Sequence, residues 1–336
     1  MIKSPYSLKK NFSKLKKYNN NFLIKIYKNL YLCRGVEELI QTFYPQNKMK
    51  TPTHLGIGQE AISVGLSLNL NTNDRIFCHH RSHLPFMAIG GNIYRLFCEL
   101  MGKKNGTSGG KGGSVHLCSN KDIHFASTAI LGQSLGLAVG AGLAFKIKNK
   151  KNISVAIFGN ASLEEGVAYE VLNFASLKKI PTLFIYENNF YSIEMPNYKG
   201  YLKQINYKKI ISSLEIKYLK VDGNNVAEVY LKINQAIKYI KKRKRPIFIE
   251  FLTYRWLEHC GPFYDYDLKR NYRTKDEIDH WKKSCPVKNF RNFLIKKIEP
   301  KKIEDIEKKI NKSINLNFQD ALNSKTPNKN DLLKNV

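Results

Sequence analysis

Two short segments hold the side chains best suited to chemistry in this 336-residue chain. The first is Gly159, Asn160, Ala161 and Ser162, which follow the apolar run ISVAIF and precede LEEGVAYEVLNFASLKK. A turn between a strand and a helix presents free backbone N–H groups, a natural seat for a phosphate. The second is Asn188 and Asn189, just after the apolar run TLFIY. Oxygen donors at the ends of two neighbouring strands suit a hard cation such as Mg²⁺, held together with a diphosphate. The plainer alternative is that Asn160 caps a helix and that 188–189 makes turns.

Such residues need a scaffold to hold them. ISVAIF, the helix after it with an acidic first turn, and TLFIY read as strand, helix, strand over 153–188. That is a βαβ unit and requires a parallel sheet. Further strands are expected at 75–78, 216–221 and 247–253, with a helix over 226–242. The alternation points to an α/β fold, a doubly wound and mostly parallel sheet flanked by helices. Ligands on such sheets sit at the carboxyl ends of strands, here 159–162, 188–191 and 254–259. Apolar residues at helical spacing predict helices over 22–44 and 61–70. The segment GKKNGTSGGKGG at 102–113 has six glycines in twelve positions and must be a loop. Gly132, Gly136, Gly140 and Ala144 recur every fourth residue, a small face that suits close packing of two helices. Residues 1–21 form a basic extension. Residues 22–336 form one domain with a helical N-terminal arm and a polar C-terminal extension.

Gly-Asn-Ala, then 162–187 (26 residues), then Asn-Asn resembles the GDG…NN motif of thiamine diphosphate enzymes. Other blocks agree in order: HLGIGQEAISVGL at 54–66, HHRSH at 79–83, GKGGSVHL at 110–117, TYRWLEHCGP at 253–262, NYRTKDEI at 271–278, and the ending ALNSKTPNKNDLLKNV. Over roughly 22–336 the chain resembles the alpha subunits of the thiamine-diphosphate-dependent first component of 2-oxo acid dehydrogenase complexes, of the pyruvate, branched-chain and acetoin types. The resemblance implies the thiamine-diphosphate-binding fold and the cofactors thiamine diphosphate and Mg²⁺. It assigns the metal to Asn160, Asn189 and the backbone carbonyl of Tyr191. It assigns the diphosphate to Arg81, Gly159, Ala161, Ser162 and His259, and the aminopyrimidine to the backbone at Gly132 and Ser134. His259, His83 and His54 match active-site histidines, with a satisfied structural histidine the alternative for His54 and His83.

The function implied is decarboxylation of a small 2-oxo acid and transfer of the acyl unit to a lipoyl acceptor. It is shared with a beta subunit in an α2β2 heterotetramer, beside a lipoyl-bearing acyltransferase. Three positions depart from the pattern. Asn160 stands where Asp is usual and removes a negative charge from the metal site. Ala161 replaces a glycine. Cys260 replaces a serine that is phosphorylated in some relatives, so that control is not expected here. These departures keep two alternatives open: a related enzyme of a biosynthetic pathway without a lipoyl carrier, or a catalytically weakened partner subunit.

Composition bounds the rest. Lys plus Arg is 56 against 27 Asp plus Glu, a net charge of +29. Such excess invites polyanions, yet no RNA-recognition, zinc-finger or helix-turn-helix pattern is present, so a specific nucleic-acid function is not expected. No apolar run approaches the roughly 20 residues of a membrane helix. The six cysteines form no CxxC pair and read as reduced thiols of a cytoplasmic protein.

Overall fold

The computed structural model describes residues 2–119, 123–197, 199, 205–270, 272–331 and 333–334. Asn271 of the NYRTKDEI block, and Leu332, Asn335 and Val336 of the ending, lie outside the described residues. The strands are β1 Arg75–Cys78, β2 Cys118–Ser119, β3 His124–Ser127, β4 Ser154–Phe158, β5 Thr182–Asn188, β6 Tyr191–Ser192, β7 Met195–Pro196, β8 Lys217–Asp222 and β9 Ile247–Leu252. The helices are α1 Asn20–Phe43, α2 Glu60–Ser67, α3 His83–Ala88, α4 Ile93–Leu100, α5 Gln133–Ile147, α6 Gly166–Leu177, α7 Tyr207–Ser213, α8 Val226–Arg243, α9 Lys275–Lys282, α10 Pro286–Leu294 and α11 Pro300–Leu322.

Seven strands form one sheet in the order β2-β3-β1-β4-β5-β9-β8. All pairs are parallel except β2 with β3. Strands β4, β5 and β9 are buried at every position, as a parallel sheet covered on both faces requires. Side chains alternate across it. Val155, Ile157, Leu183, Ile185, Ile249 and Phe251 enter one core, shared with α1, α2 and α8. Ala156, Phe158, Phe184, Tyr186 and Phe248 enter a second core under α5 and α6.

The chain turns from one side of β1 to the other at the middle of the sheet. The carboxyl ends of β1, β4, β5 and β9 therefore open side by side, which is where an open α/β sheet binds its ligand.

Three expectations need adjustment. The acidic residues at 164–165 do not form the first turn of α6. Ala161–Leu163 is a 3₁₀ turn, α6 starts at Gly166, and the Glu165 carboxylate accepts the Gly132 N–H at 2.9 Å. The small-residue face of α5 is covered only in part: Gly140 and Ala144 are exposed, and no atom of the described residues lies within 4 Å of a Cβ placed at Gly140. The basic N-terminal segment lies against the domain. Lys10 Nζ pairs with Asp222 at 2.6 Å in a buried contact, Phe12 meets Phe290 edge-on, and Trp281 Nε1 donates to the Ile2 carbonyl.

Candidate active site

The segments that follow β1, β4, β5 and β9, with the loop before α2, line a partly open cavity. Its wall includes Arg81 after β1, Gly159, Asn160 and Ala161 after β4, Asn189 and Tyr191 after β5, and His259 after β9. The loop before α2 closes it. Gly58 sits there at φ +103°, and a Cβ would meet the Tyr254 carbonyl at 2.5 Å, so only glycine allows this approach. The Trp256 N–H donates to the Ile57 carbonyl at 3.0 Å and the Gly261 N–H to the Thr53 carbonyl at 2.9 Å, tying that loop to 254–261.

Asn160 does not cap a helix through its side chain. Its Nδ2 donates to Tyr186 Oη at 2.9 Å and to Asn188 Oδ1 at 2.8 Å. The amide orientation follows from its neighbours. The Phe190 N–H donates to Asn188 Oδ1, and Asn188 Nδ2 donates to the Glu250 carboxylate at 2.6 Å. A backbone N–H can only donate and a carboxylate can only accept, so Asn188 must show its oxygen to Asn160. Asn160 must answer with its NH₂. Its Oδ1 is left buried at the cavity wall with no hydrogen-bond partner among the described residues. A buried orphan acceptor costs about 1–3 kcal/mol, and a cation is one partner that satisfies it. Ser162 Oγ, in the same turn, is a second buried orphan.

The turn expected at 188–189 is present. Phe190 takes the left-handed conformation at φ +69°, and the Tyr191 N–H donates to Asn189 Oδ1 at 3.2 Å. That leaves a lone pair free on the Asn189 amide oxygen. The Tyr191 hydroxyl donates to Glu277 at 2.5 Å, so its role at the cavity falls to its backbone.

The cavity is electropositive. Arg81 donates to the carbonyls of Leu55 (2.6 Å) and His259 (3.2 Å). Arg255 donates to the carbonyls of Leu257 (2.5 Å) and Ile193 (2.6 Å). Neither guanidinium has a carboxylate hydrogen-bond partner among the described residues. Burial and Arg255 pull Arg81 down to about 9, still cationic at neutral pH. Two buried cations with no carboxylate hydrogen-bonded to them suit a polyanion. The donors present therefore fit a diphosphate with a hard cation: amide oxygens at 160 and 189, the 159–161 turn, and two guanidinia.

His79, His80 and His259 line the rest. His54 meets His80 and His259 edge-on, and His80 is tilted against His259, with ring centres 4.5 to 5.3 Å apart. Burial first, then Arg81, pushes His54 down to about 2 and His259 to about 3, and holds His80 well below its ordinary value. These imidazoles are neutral at pH 7. His83 is not among the residues lining the cavity. It is fully buried between Glu37 (2.7 Å) and Ser114 Oγ (2.9 Å), while the other Glu37 oxygen accepts the Gly56 N–H. It ties α1, α3 and the end of the glycine-rich loop together. Gly132 and Ser134 lie just behind the cavity, which Leu131 lines. The Gly132 N–H is taken by Glu165, and Ser134 Oγ donates to the Leu131 carbonyl.

Sequence reasoning left several cavity residues unassigned: Gln59, His79, His80, Glu187 and Arg255. The Arg81 N–H donates to His79 Nδ1, so Nε2 carries the proton toward Glu187, 3.1 Å away. Four of the five sit inside the quoted blocks and Glu187 just before Asn188-Asn189, but nothing in a linear pattern shows which of these residues face the cavity. Glu99 was also unassigned. This buried carboxylate accepts four backbone N–H groups of the glycine-rich loop, from Ser108, Gly110, Gly112 and Gly113, at 2.7 to 3.0 Å.

A sequence profile described as "Dehydrogenase E1 component" matches residues 28–330. The acetoin:2,6-dichlorophenolindophenol oxidoreductase alpha subunit of Bacillus subtilis is 30% identical over 313 residues, covering 93% of this chain and 92% of the relative. The mitochondrial pyruvate dehydrogenase E1 alpha subunit of Pisum sativum is 31% identical over 327 residues (94% and 78%). The pyruvate dehydrogenase E1 component alpha subunit of Rhizobium meliloti (strain 1021) is 32% identical over 255 residues (76% and 72%).

Proposed function

The chain belongs to the dehydrogenase E1 component family, and from that premise we propose that it is the alpha subunit of a thiamine-diphosphate-dependent 2-oxo acid dehydrogenase. The observation that carries this reading is the Asn160 Oδ1, without a hydrogen-bond partner among the described residues, on the wall of a cavity lined by two guanidinia that no described carboxylate hydrogen-bonds. Bound thiamine diphosphate supplies the nucleophilic carbon and the electron sink that decarboxylation of a 2-oxo acid needs. This chain supplies position and charge. Arg81, Gly159, Ala161 and Ser162 hold the diphosphate. Asn160, Asn189 and the Tyr191 carbonyl hold Mg²⁺ through neutral oxygens, so the diphosphate contributes the negative charge. Gly132 and Ser134 back the aminopyrimidine end. The candidate proton-transfer groups are His259, which lines the cavity, and His54, which meets it edge-on, and His83 positions the loop around Ser114.

Asn160 is built into a network that demands an amide, which favours a site adapted to asparagine over one that has decayed. The partner in this reading is a beta subunit in an α2β2 heterotetramer, with a lipoyl-bearing acyltransferase as acceptor. Support for a partner comes from α5 and α6, where Leu137, Ile147, Phe174 and Leu177 are exposed beside the open small-residue face. The compartment is cytoplasmic in this reading. It accords with six free cysteines, and no described helix is long and apolar enough to cross a membrane.

The test is CO₂ release from a panel of 2-oxo acids by the chain co-purified with its beta subunit, with a lipoyl domain or an artificial electron acceptor. Release should need thiamine diphosphate, Mg²⁺ and both subunits. Release with the artificial acceptor but no lipoyl acylation would move the chain to the reading without a lipoyl carrier. No release from any 2-oxo acid would overturn the assignment.

A further inference from the structure

His54, His80 and His259 offer more than proton transfer. One ring nitrogen from each lies within 4.8 Å of the other two. The ring centres are 4.5, 5.0 and 5.3 Å apart. Three imidazoles on a tetrahedral ion, with metal–nitrogen bonds of about 2.0–2.1 Å, have centres roughly 5 Å apart. The rings therefore already stand at coordinating separation, and small rotations bring the nitrogens in. His54 Nδ1 and His80 Nε2 are buried and find no hydrogen-bond partner among the described residues, a cost that a metal bond removes. The rings are neutral at pH 7, so no proton competes for the nitrogens. Arg81 opposes a cation here, and an anion at the open fourth position offsets that charge.

We propose that His54, His80 and His259 form a binding site for one divalent transition ion of the Zn²⁺ class, separate from the oxygen donors of Asn160, Asn189 and Tyr191. Imidazole selects such ions, whereas Mg²⁺ prefers oxygen. The inference rests on the three rings and does not depend on the cofactor reading.

The experiment titrates Co²⁺, then Zn²⁺, into the full chain without added thiamine diphosphate, following visible absorption and heat. The expected result is one ion per chain, the intense bands of tetrahedral Co²⁺, displacement by Zn²⁺ and none by excess Mg²⁺. His54→Gln, His80→Phe and His259→Gln should each weaken Zn²⁺ binding by about tenfold or more, and His116→Gln, at an exposed position outside the cluster, should leave it unchanged. A weak octahedral Co²⁺ spectrum from the unmodified chain would overturn the proposal whatever the variants do. So would Zn²⁺ affinity that all three cluster variants leave intact.

Discussion

Replacing Asn160 by the aspartate usual at a metal-binding turn should destabilise the metal-free chain. Asn160 Nδ2 now donates to Asn188 Oδ1 at 2.8 Å and to Tyr186 Oη at 2.9 Å. In Asn160→Asp the Tyr186 hydroxyl can rotate and donate instead. Asn188 cannot follow, because the Phe190 N–H and the Glu250 carboxylate hold its amide in one orientation. Two acceptor oxygens then face each other in a buried site. Losing one hydrogen bond costs about 1 kcal/mol, and the unsatisfied acceptors add about 1–3 kcal/mol, so the total is about 2–4 kcal/mol. At about 2.1 cal/mol/K per residue, 336 residues give an unfolding entropy of about 0.7 kcal/mol/K, so Tm should fall by about 3–6 °C. Added Mg²⁺ with pyrophosphate should shrink or reverse the deficit, because the new carboxylate strengthens the metal site. Thermal and urea melts of both proteins, with and without Mg²⁺ and pyrophosphate, read this directly. A variant as stable as the parent in EDTA would refute the argument that the network locks the amide.

Two further outcomes follow from buried groups. Glu99→Gln swaps one carboxylate oxygen, which accepts two backbone N–H groups of the 102–113 loop, for a donor; trypsin cleavage at Lys103, Lys104 and Lys111 should accelerate and stability fall by about 3 kcal/mol or more, and unchanged cleavage would contradict the assigned role. His54 and His259 titrate near 6.5 when unfolded but at about 2 and about 3 when folded. The unfolded chain thus binds more protons below pH 6.5, and stability should be lost as pH falls from 6.5 toward 3 and be flat above that window. His259→Gln should reduce the slope of the urea midpoint between pH 7 and 5, and an unaltered slope would contradict the neutral-imidazole reading.

What was legible in the sequence follows from how local each signal is. Strands β4, β5 and β9 are buried on both faces, so they read as continuous apolar runs, and their bounds were placed within a residue or two. The turns after them could be named as ligand sites because parallel topology puts carboxyl ends together. The 3₁₀ turn at Ala161–Leu163 was not legible, because Glu165 is drawn from helix-start chemistry by Gly132, 33 positions earlier in the chain. The buried carboxylates were invisible for the same reason. Glu37 serves His83 and Gly56, Glu99 serves a loop, and Glu250 orients Asn188 from 62 positions away. His80 entered the site only when the fold brought His54 and His259 to it.

The central claim is that this cavity holds thiamine diphosphate through a metal bound by neutral oxygens. Calorimetric titration of thiamine diphosphate into the chain co-purified with its beta subunit, with Mg²⁺ and then with EDTA, tests it most directly. The account predicts saturable binding in Mg²⁺ that EDTA abolishes and that Arg81→Lys weakens by about tenfold, since a single ammonium cannot replace the guanidinium fork. Failure to bind in Mg²⁺ by both the parent and Asn160→Asp would contradict it.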